Sequence, residues 1–120
     1  MSIHLRGLDP RVRERAELAL AWAHRYGLTV TVTSGYRSWA EQEKLYREFV
    51  AGRSQFPANR PGDSAHNFGF AWDSVVPANQ QWTWNYLRRY AGFEVLEHDI
   101  IHAQVPNWRA YTSTQNLRRG

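Results

Sequence analysis

A small α+β domain, with helices packed against a mainly antiparallel sheet, is the fold this sequence predicts. Three observations carry that expectation. Helix-start signals recur at Asp9-Pro10, at Ser38 with Glu41, and at Asn79. Short runs with the period of a strand lie between and after them. A length of 120 residues is enough for one core and too little for a separate binding module, so 1–120 is expected to form a single domain.

The elements follow in order. Asp9 can cap a helix whose first position is Pro10, where the missing N–H costs nothing, and Gly27 ends it after about Tyr26. Val12, Ala16, Ala19, Leu20 and Ala23 give that helix one apolar stripe. Leu28, Val30 and Val32 then alternate with Thr29, Thr31 and Thr33 as in a half-buried strand, which stops at Ser34-Gly35. Ser38 and Glu41 form a capping box for a second helix that carries Leu45, Phe49 and Val50 and ends near Gly52. Residues 53–65 hold Pro57, Pro61 and Gly62 without periodicity and read as a loop. From Gly69 to Val76 a strand is expected, with Gly69, Ala71 and Asp73 on one face and Phe70, Trp72 and Ser74 on the other. Asn79 is placed to cap a third helix through about Tyr90. Gly92 then turns the chain into strand-like runs at 93–96 and 100–105, and the stretch from Arg109 to Gly120 is read as a short terminal helix or a frayed end.

Composition narrows the chemistry. With no cysteine, disulfides and thiolate metal sites are excluded, and His, Asp and Glu are the strong ligands that remain. The net charge is +4 and Lys44 is the only lysine, so the basic balance is almost all arginine and favours an anionic partner. The arginines are dispersed, with tight pairs only at Arg88-Arg89 and Arg118-Arg119, which argues against nucleic acid and fits an anionic cell-wall polymer. Trp22, Trp72 and Trp84 fall in periodic segments and are assigned to the core rather than to stacking on bases or sugars. No signal-peptide-like or membrane-spanning apolar run is present, so a soluble chain made in the cytoplasm, without stable membrane insertion, is expected.

His66, Asp73 and His102 are the residues that carry chemistry. The first two lie in Ser64-Ala65-His66-Asn67-Phe68-Gly69-Phe70-Ala71-Trp72-Asp73, an S-x-H-x-x-G-x-A-x-D spacing. His66 and Asp73 are seven positions apart, and on one helix they would stand two turns, or about 10 Å, from each other, so a turn followed by a strand must bring them together. Two imidazoles and a carboxylate match the three protein ligands of a catalytic zinc, whose fourth position is left for water or substrate. An acid flanked by Ala71, Trp72, Val75 and Val76 also needs a partner if buried. His4, His24 and His98 lack ligand spacing to one another. Arg37 after Ser34-Gly35-Tyr36 reads locally as a turn residue, Ser64 as a loop-fixing or substrate-binding hydroxyl, and Tyr36 and Gln42 as packing and support.

Three motifs occur in order: Ser34-Gly35-Tyr36-Arg37-Ser38 before a helix, the S-x-H-x-x-G-x-A-x-D stretch, and a D-x-x-H element from Asp99 to His102. Together they resemble the zinc peptidoglycan peptidases that include D-alanyl-D-alanine carboxypeptidases and L-alanyl-D-glutamate endopeptidases. His66-Asn67-Phe68-Gly69 and the small size are most similar to the endopeptidases of bacteria and phage endolysins, and the resemblance runs from about Val30 to Val105. It implies Zn2+ held by His66, Asp73 and His102, Asp99 as the catalytic carboxylate, and Arg37 meeting substrate. A zinc-bound water with its pKa lowered to about 7 would attack the amide once a carboxylate takes its proton. Arg37 suits either the developing oxyanion or a substrate carboxylate. Many relatives have Glu where Asp99 stands and an aromatic or proline residue where Ile101 stands; Glu97 and His98 are the alternative proton acceptors.

The function implied is hydrolysis of peptidoglycan stem peptides, most specifically as an L-alanyl-D-glutamate endopeptidase of endolysin type, monomeric and reaching the wall by holin-type release. A D-alanyl-D-alanine carboxypeptidase of the same family is the alternative. A non-enzymatic zinc-containing binding domain, like the hedgehog amino-terminal domain, and a basic nucleic-acid-binding domain are the rival classes, and Asp99 and Arg37 argue against the former.

Overall fold

The structure is a computed structural model that describes residues 2–112. Helix α1 spans Pro10–Arg25, with Pro10 at its first turn and the Asp9 side chain accepting from the Arg11 amide. Strand β1 is Thr31–Ser34 and helix α2 is Trp39–Val50. Strand β2 is Ala71–Val75, helix α3 is Gln81–Tyr90, and β3 (Glu94–Leu96) and β4 (Asp99–Gln104) form a hairpin. The four strands make one antiparallel sheet in the order β1-β2-β4-β3. The two neighbours of β2 are thus β1, which leads into the Arg37 motif, and β4, which carries Asp99 and His102.

The expected apolar stripe of α1 is realised, with Val12, Ala16, Ala19 and Ala23 buried. The pleat of β2 divides its side chains as the sequence predicts. Trp72 and Ser74 turn towards α3, where the Trp84 indole N–H donates to Ser74 Oγ at 2.9 Å and the Trp72 and Trp84 rings meet edge to face. Both tryptophans are fully buried, and Trp22 packs against the same core while half-buried. Asp73, one residue out of phase, projects from the opposite face.

Several expectations are corrected. Strand β1 is shorter than the Leu28–Thr33 alternation, because Leu28 and Val30 pack on the core without joining the ladder. Asn79 does not cap α3. It lies inside a 3₁₀ turn, Ala78–Gln80, set up by Pro77, and the chain runs from that turn straight into α3 with no side-chain cap. On α2, Leu45, Phe49 and Val50 are 43%, 38% and 64% exposed, while Trp39 meets the buried Phe68 edge to face. The capping box at Ser38 and Glu41 forms as expected, but the buried residue of this helix is Gln42. After Trp108–Tyr111, a 3₁₀ turn, the rest of the expected terminal helix and the Arg118-Arg119 pair lie outside the described residues.

Candidate metal centre

His66 enters the site from a 3₁₀ turn, Ala65–Phe68, whose N-cap Ser64 is buried and accepts the His66 amide on its Oγ at 3.3 Å. The turn ends at Gly69 in the left-handed region (φ 73°), and a Cβ there would stand 2.7 Å from the Asp9 backbone nitrogen. Only glycine suits both conditions. Asp9 N–H donates to the Gly69 carbonyl, so the start of α1 anchors the turn that presents His66. Asp73 and His102 are directly paired residues of β2 and β4.

The three side chains converge, with one donor atom from each lying within 4.8 Å of the others. Asp73 Oδ1 is 3.3 Å from His66 Nε2 and 3.2 Å from His102 Nδ1. Two ligand atoms of a tetrahedral zinc with bonds of about 2.0 Å stand about 3.3 Å apart, so both separations match an edge of that polyhedron.

The outer nitrogens fix the tautomers. His66 Nδ1 lies 2.7 Å from the Gly35 carbonyl oxygen, which can only accept, so the proton is on Nδ1 and Nε2 of the neutral ring carries a lone pair. Gly35 is held close in turn, its Cα abutting the His4 carbonyl with no space for a side chain. His102 Nε2 lies 2.8 Å from Gln104 Oε1. The Gln104 amide is oriented by Glu94, whose carboxylate accepts from Gln104 Nε2 at 2.6 Å. His102 therefore donates from Nε2, and in the neutral ring its Nδ1 carries the lone pair that faces Asp73. Two lone pairs and a carboxylate oxygen facing one point repel one another unless a cation stands there.

In the metal-free protein, protons supply part of that charge. Burial opposes ionisation of Asp73, but hydrogen bonds from His102 and His66, with their positive charge, overcome it and hold the carboxyl well below its usual range. Burial likewise works to lower the His102 pKa, and is outweighed by the hydrogen bonds to Asp73 and Gln104 and by the charges of Asp73 and Asp99, which raise it.

Arg37 is stitched to the same region. Its amide donates to the His66 carbonyl at 3.0 Å, and Asn67 Nδ2 donates to the Arg37 carbonyl at 2.9 Å. The guanidinium donates to Gln42 Oε1 at 2.9 Å and Ser34 Oγ at 3.2 Å, and Gln42 is itself fixed by donating to the Asn59 carbonyl. Burial lowers the Arg37 pKa, with the charges of Asp73 and Glu41 acting the other way. Asp99, at the exposed start of β4, bears electrostatically on His102, while Glu97 and His98 occupy the exposed β3–β4 turn. Sequence reasoning missed Gln104, Glu94 and Arg88. The first had a signal, since residues two apart on a strand share a face and Gln104 follows His102 by two.

An antiparallel sheet backed by helices, with two imidazoles and a carboxylate converging from a turn and two paired strands, is the arrangement expected of the peptidoglycan peptidases the sequence resembles. The chain belongs to the VanY D-alanyl-D-alanine carboxypeptidase family, which matches residues 6–108. It is 36% identical over 70 residues to the peptidoglycan L-alanyl-D-glutamate endopeptidase CwlK of Bacillus subtilis (strain 168), a match spanning 58% of this chain and 42% of that protein's length. It superposes on the L-Ala D-Glu endopeptidase ChiX of Serratia marcescens with a TM-score of 0.64 at 26% identity, covering 90% of this chain and 86% of the other. A mutant of the vancomycin-resistance D,D-pentapeptidase VanY in complex with Zn(II) shares the fold, with a TM-score of 0.64 at 19% identity over 91% of this chain and 78% of the other. Among the described residues no helix is long and apolar enough to cross a membrane.

Proposed function

We propose that this chain is a zinc-dependent peptidase of peptidoglycan stem peptides, that His66, Asp73 and His102 hold the metal, and that the bond it cuts is L-alanyl-D-glutamate. The observation that carries the metal is the pair of ring nitrogens aimed at Asp73, each ring held by an acceptor on its far side. The likeness to CwlK and ChiX supports the endopeptidase reading. The carboxypeptidase description of the family favours the alternative, removal of a terminal D-alanine.

Zinc bound there supplies a Lewis acid that acidifies a water and polarises the scissile carbonyl. The chain's own residues do the rest. Asp99 takes the proton from the attacking water and returns it to the departing amine. Its charge already acts on His102, which favours it over Glu97 and His98. Arg37, held by Ser34 and Gln42 with N–H groups to spare, receives a stem-peptide carboxylate. Ser64 orders the His66 turn. We place the activity at the bacterial wall, with an endolysin role as its setting, where a net charge of +4 favours anionic envelope polymers.

Mass spectrometry of muropeptides digested with and without chelator tests bond and metal together. Free L-alanine ends with chelator-sensitive cleavage are expected. Loss of only the terminal D-alanine would move the chain to the carboxypeptidase reading, and a His66→Ala variant that cuts as fast as the parent would sink the zinc assignment.

A further inference from the structure

The β3–β4 hairpin is irregular where the site needs it. Its pairs run Glu94 with Gln104 and Val95 with Ala103, and then Leu96 with Asp99, so one step along β3 spans four along β4. Pairing of β4 with β2 stops at His102 opposite Asp73. Ile100 and Ile101 are left with no paired residue on either side, between the proposed base and the third metal ligand. On a regular strand, residues three apart point to opposite faces, and a bulge resets that alternation.

Backbone carbonyls that leave a ladder need other donors, and the bulge finds its donors in a side chain. Arg88, fully buried on α3, donates from Nη2 to the Ile100 carbonyl at 2.8 Å and from Nη1 to the Ile101 carbonyl at 3.3 Å. Nη2 also donates to Asn85 Oδ1 at 2.5 Å, and the guanidinium lies 5.4 Å from the centroid of the Trp84 ring. No carboxylate is within ion-pairing distance of it among the described residues, and its Nε finds no acceptor. A buried cation held only by neutral partners costs stability. Burial, with help from Arg89, lowers its pKa to about 10 against the opposing charge of Asp73, so it remains charged at neutral pH. A cation kept in so unfavourable a place, with a planar fork spread over two consecutive carbonyls, has a geometric task that an apolar side chain could not perform.

We propose that Arg88 is a positioning residue for the metal centre: by clamping the Ile100 and Ile101 carbonyls it sets the bulge that brings Asp99 and His102 to bear on one site. The inference rests on the zinc reading for its functional meaning, but not for its structural test. Arg88→Met, with similar length and no donors, and Arg88→Lys, with the charge but no fork, are made in the full chain. Zinc affinity is measured by competition with a chelating dye, and amide hydrogen exchange is followed residue by residue in the metal-free protein. Arg88→Met is expected to bind zinc about 10–100-fold more weakly, the usual cost of losing support behind a ligand. Its amides at 100–102 should exchange faster while β1 and β2 keep parental protection. Arg88→Lys, which reaches one carbonyl, should fall between, and kcat should drop with KM near the parental value.

Parental zinc affinity with parental protection at 100–102 in Arg88→Met would overturn the proposal. So would exchange that quickens evenly across the sheet, since that signals lost stability alone. If Arg88→Met fails to fold, Arg88→Lys carries the same readouts. If the parent itself takes up no zinc, the proposed function fails, while the exchange pattern still decides the role of Arg88.

Discussion

Replacing Gln104 by leucine removes the acceptor that keeps the His102 proton on Nε2, and with it the reason Nδ1 presents a lone pair to Asp73. Two bonds are lost, His102 Nε2 to Gln104 Oε1 at 2.8 Å and Gln104 Nε2 to Glu94 Oε1 at 2.6 Å. The second is exposed and contributes little; the first is part-buried and worth about 1 kcal/mol to the fold. Unfolding entropy of about 2.1 cal/mol/K per residue gives about 0.25 kcal/mol per degree for a chain of this size, so the metal-free Tm should fall by about 4 °C. The effect on the metal should be larger, because the freed ring can shift its proton to Nδ1 or rotate away. A 10–100-fold loss of zinc affinity, or about 1.4–2.7 kcal/mol, is expected. Competition with a chelating dye measures it, and nitrogen shifts of the imidazole in metal-free protein report the tautomer independently. Zinc affinity within about twofold of the parent, together with a mixed His102 tautomer, would refute the view that the outer acceptor controls this ligand.

Other outcomes follow from the same geometry. Asp99→Asn should keep zinc but lower kcat by about 10²–10⁴-fold, as measured on purified muropeptides, and full activity would return the base role to Glu97 or His98. Trp84→Phe leaves the buried Ser74 hydroxyl without its donor and opens space beside Trp72, so a loss of about 2–4 kcal/mol in chemical denaturation is expected with the zinc donors unchanged. Metal-free protein should be most stable between about pH 4 and 6.5, the unfolded pKa values of Asp and His. The depressed Asp73 contributes above the lower limit and loses its contribution as pH falls through its folded pKa; the raised His102 contributes below the upper limit and loses its contribution as pH rises through its folded pKa. Thermal melts in chelator across that range check it, and a Tm that climbs from pH 6 to 8 would contradict the assignment.

What the sequence disclosed was what local chemistry determines. The Asp9-Pro10 start and the Ser38–Glu41 box involve residues at most three apart, and both formed as read. The spacing of His66 and Asp73 demanded a turn and a strand, and a 3₁₀ turn closed by Gly69 before β2 is what stands there. Asn79 misled because a favourable cap residue is usable only if the helix starts beside it, and Pro77 started a tighter turn instead. The exposure of Leu45, Phe49 and Val50 on α2 was not legible either, because periodicity says that a helix has an apolar face, not that anything covers it. Residues that support the site were the least legible. Arg88 reaches its carbonyls across 12 and 13 positions in sequence, and Gly35 meets His66 across 31, so their roles exist only once strand register is set.

The site draws its donors from His66, Asp73 and His102 and its nearest carbonyl from Gly35, itself seated against His4. A cation at that point would act as a rivet between His66, Asp73 and His102, closing loops that the unfolded polypeptide leaves open. Binding free energy would then become folding free energy. Scarcity of metal would shorten the protein's lifetime as well as silence it, because the empty form would open more often to proteases. The amount of active protein in a cell or lysate would thus track available zinc twice, through occupancy and through survival.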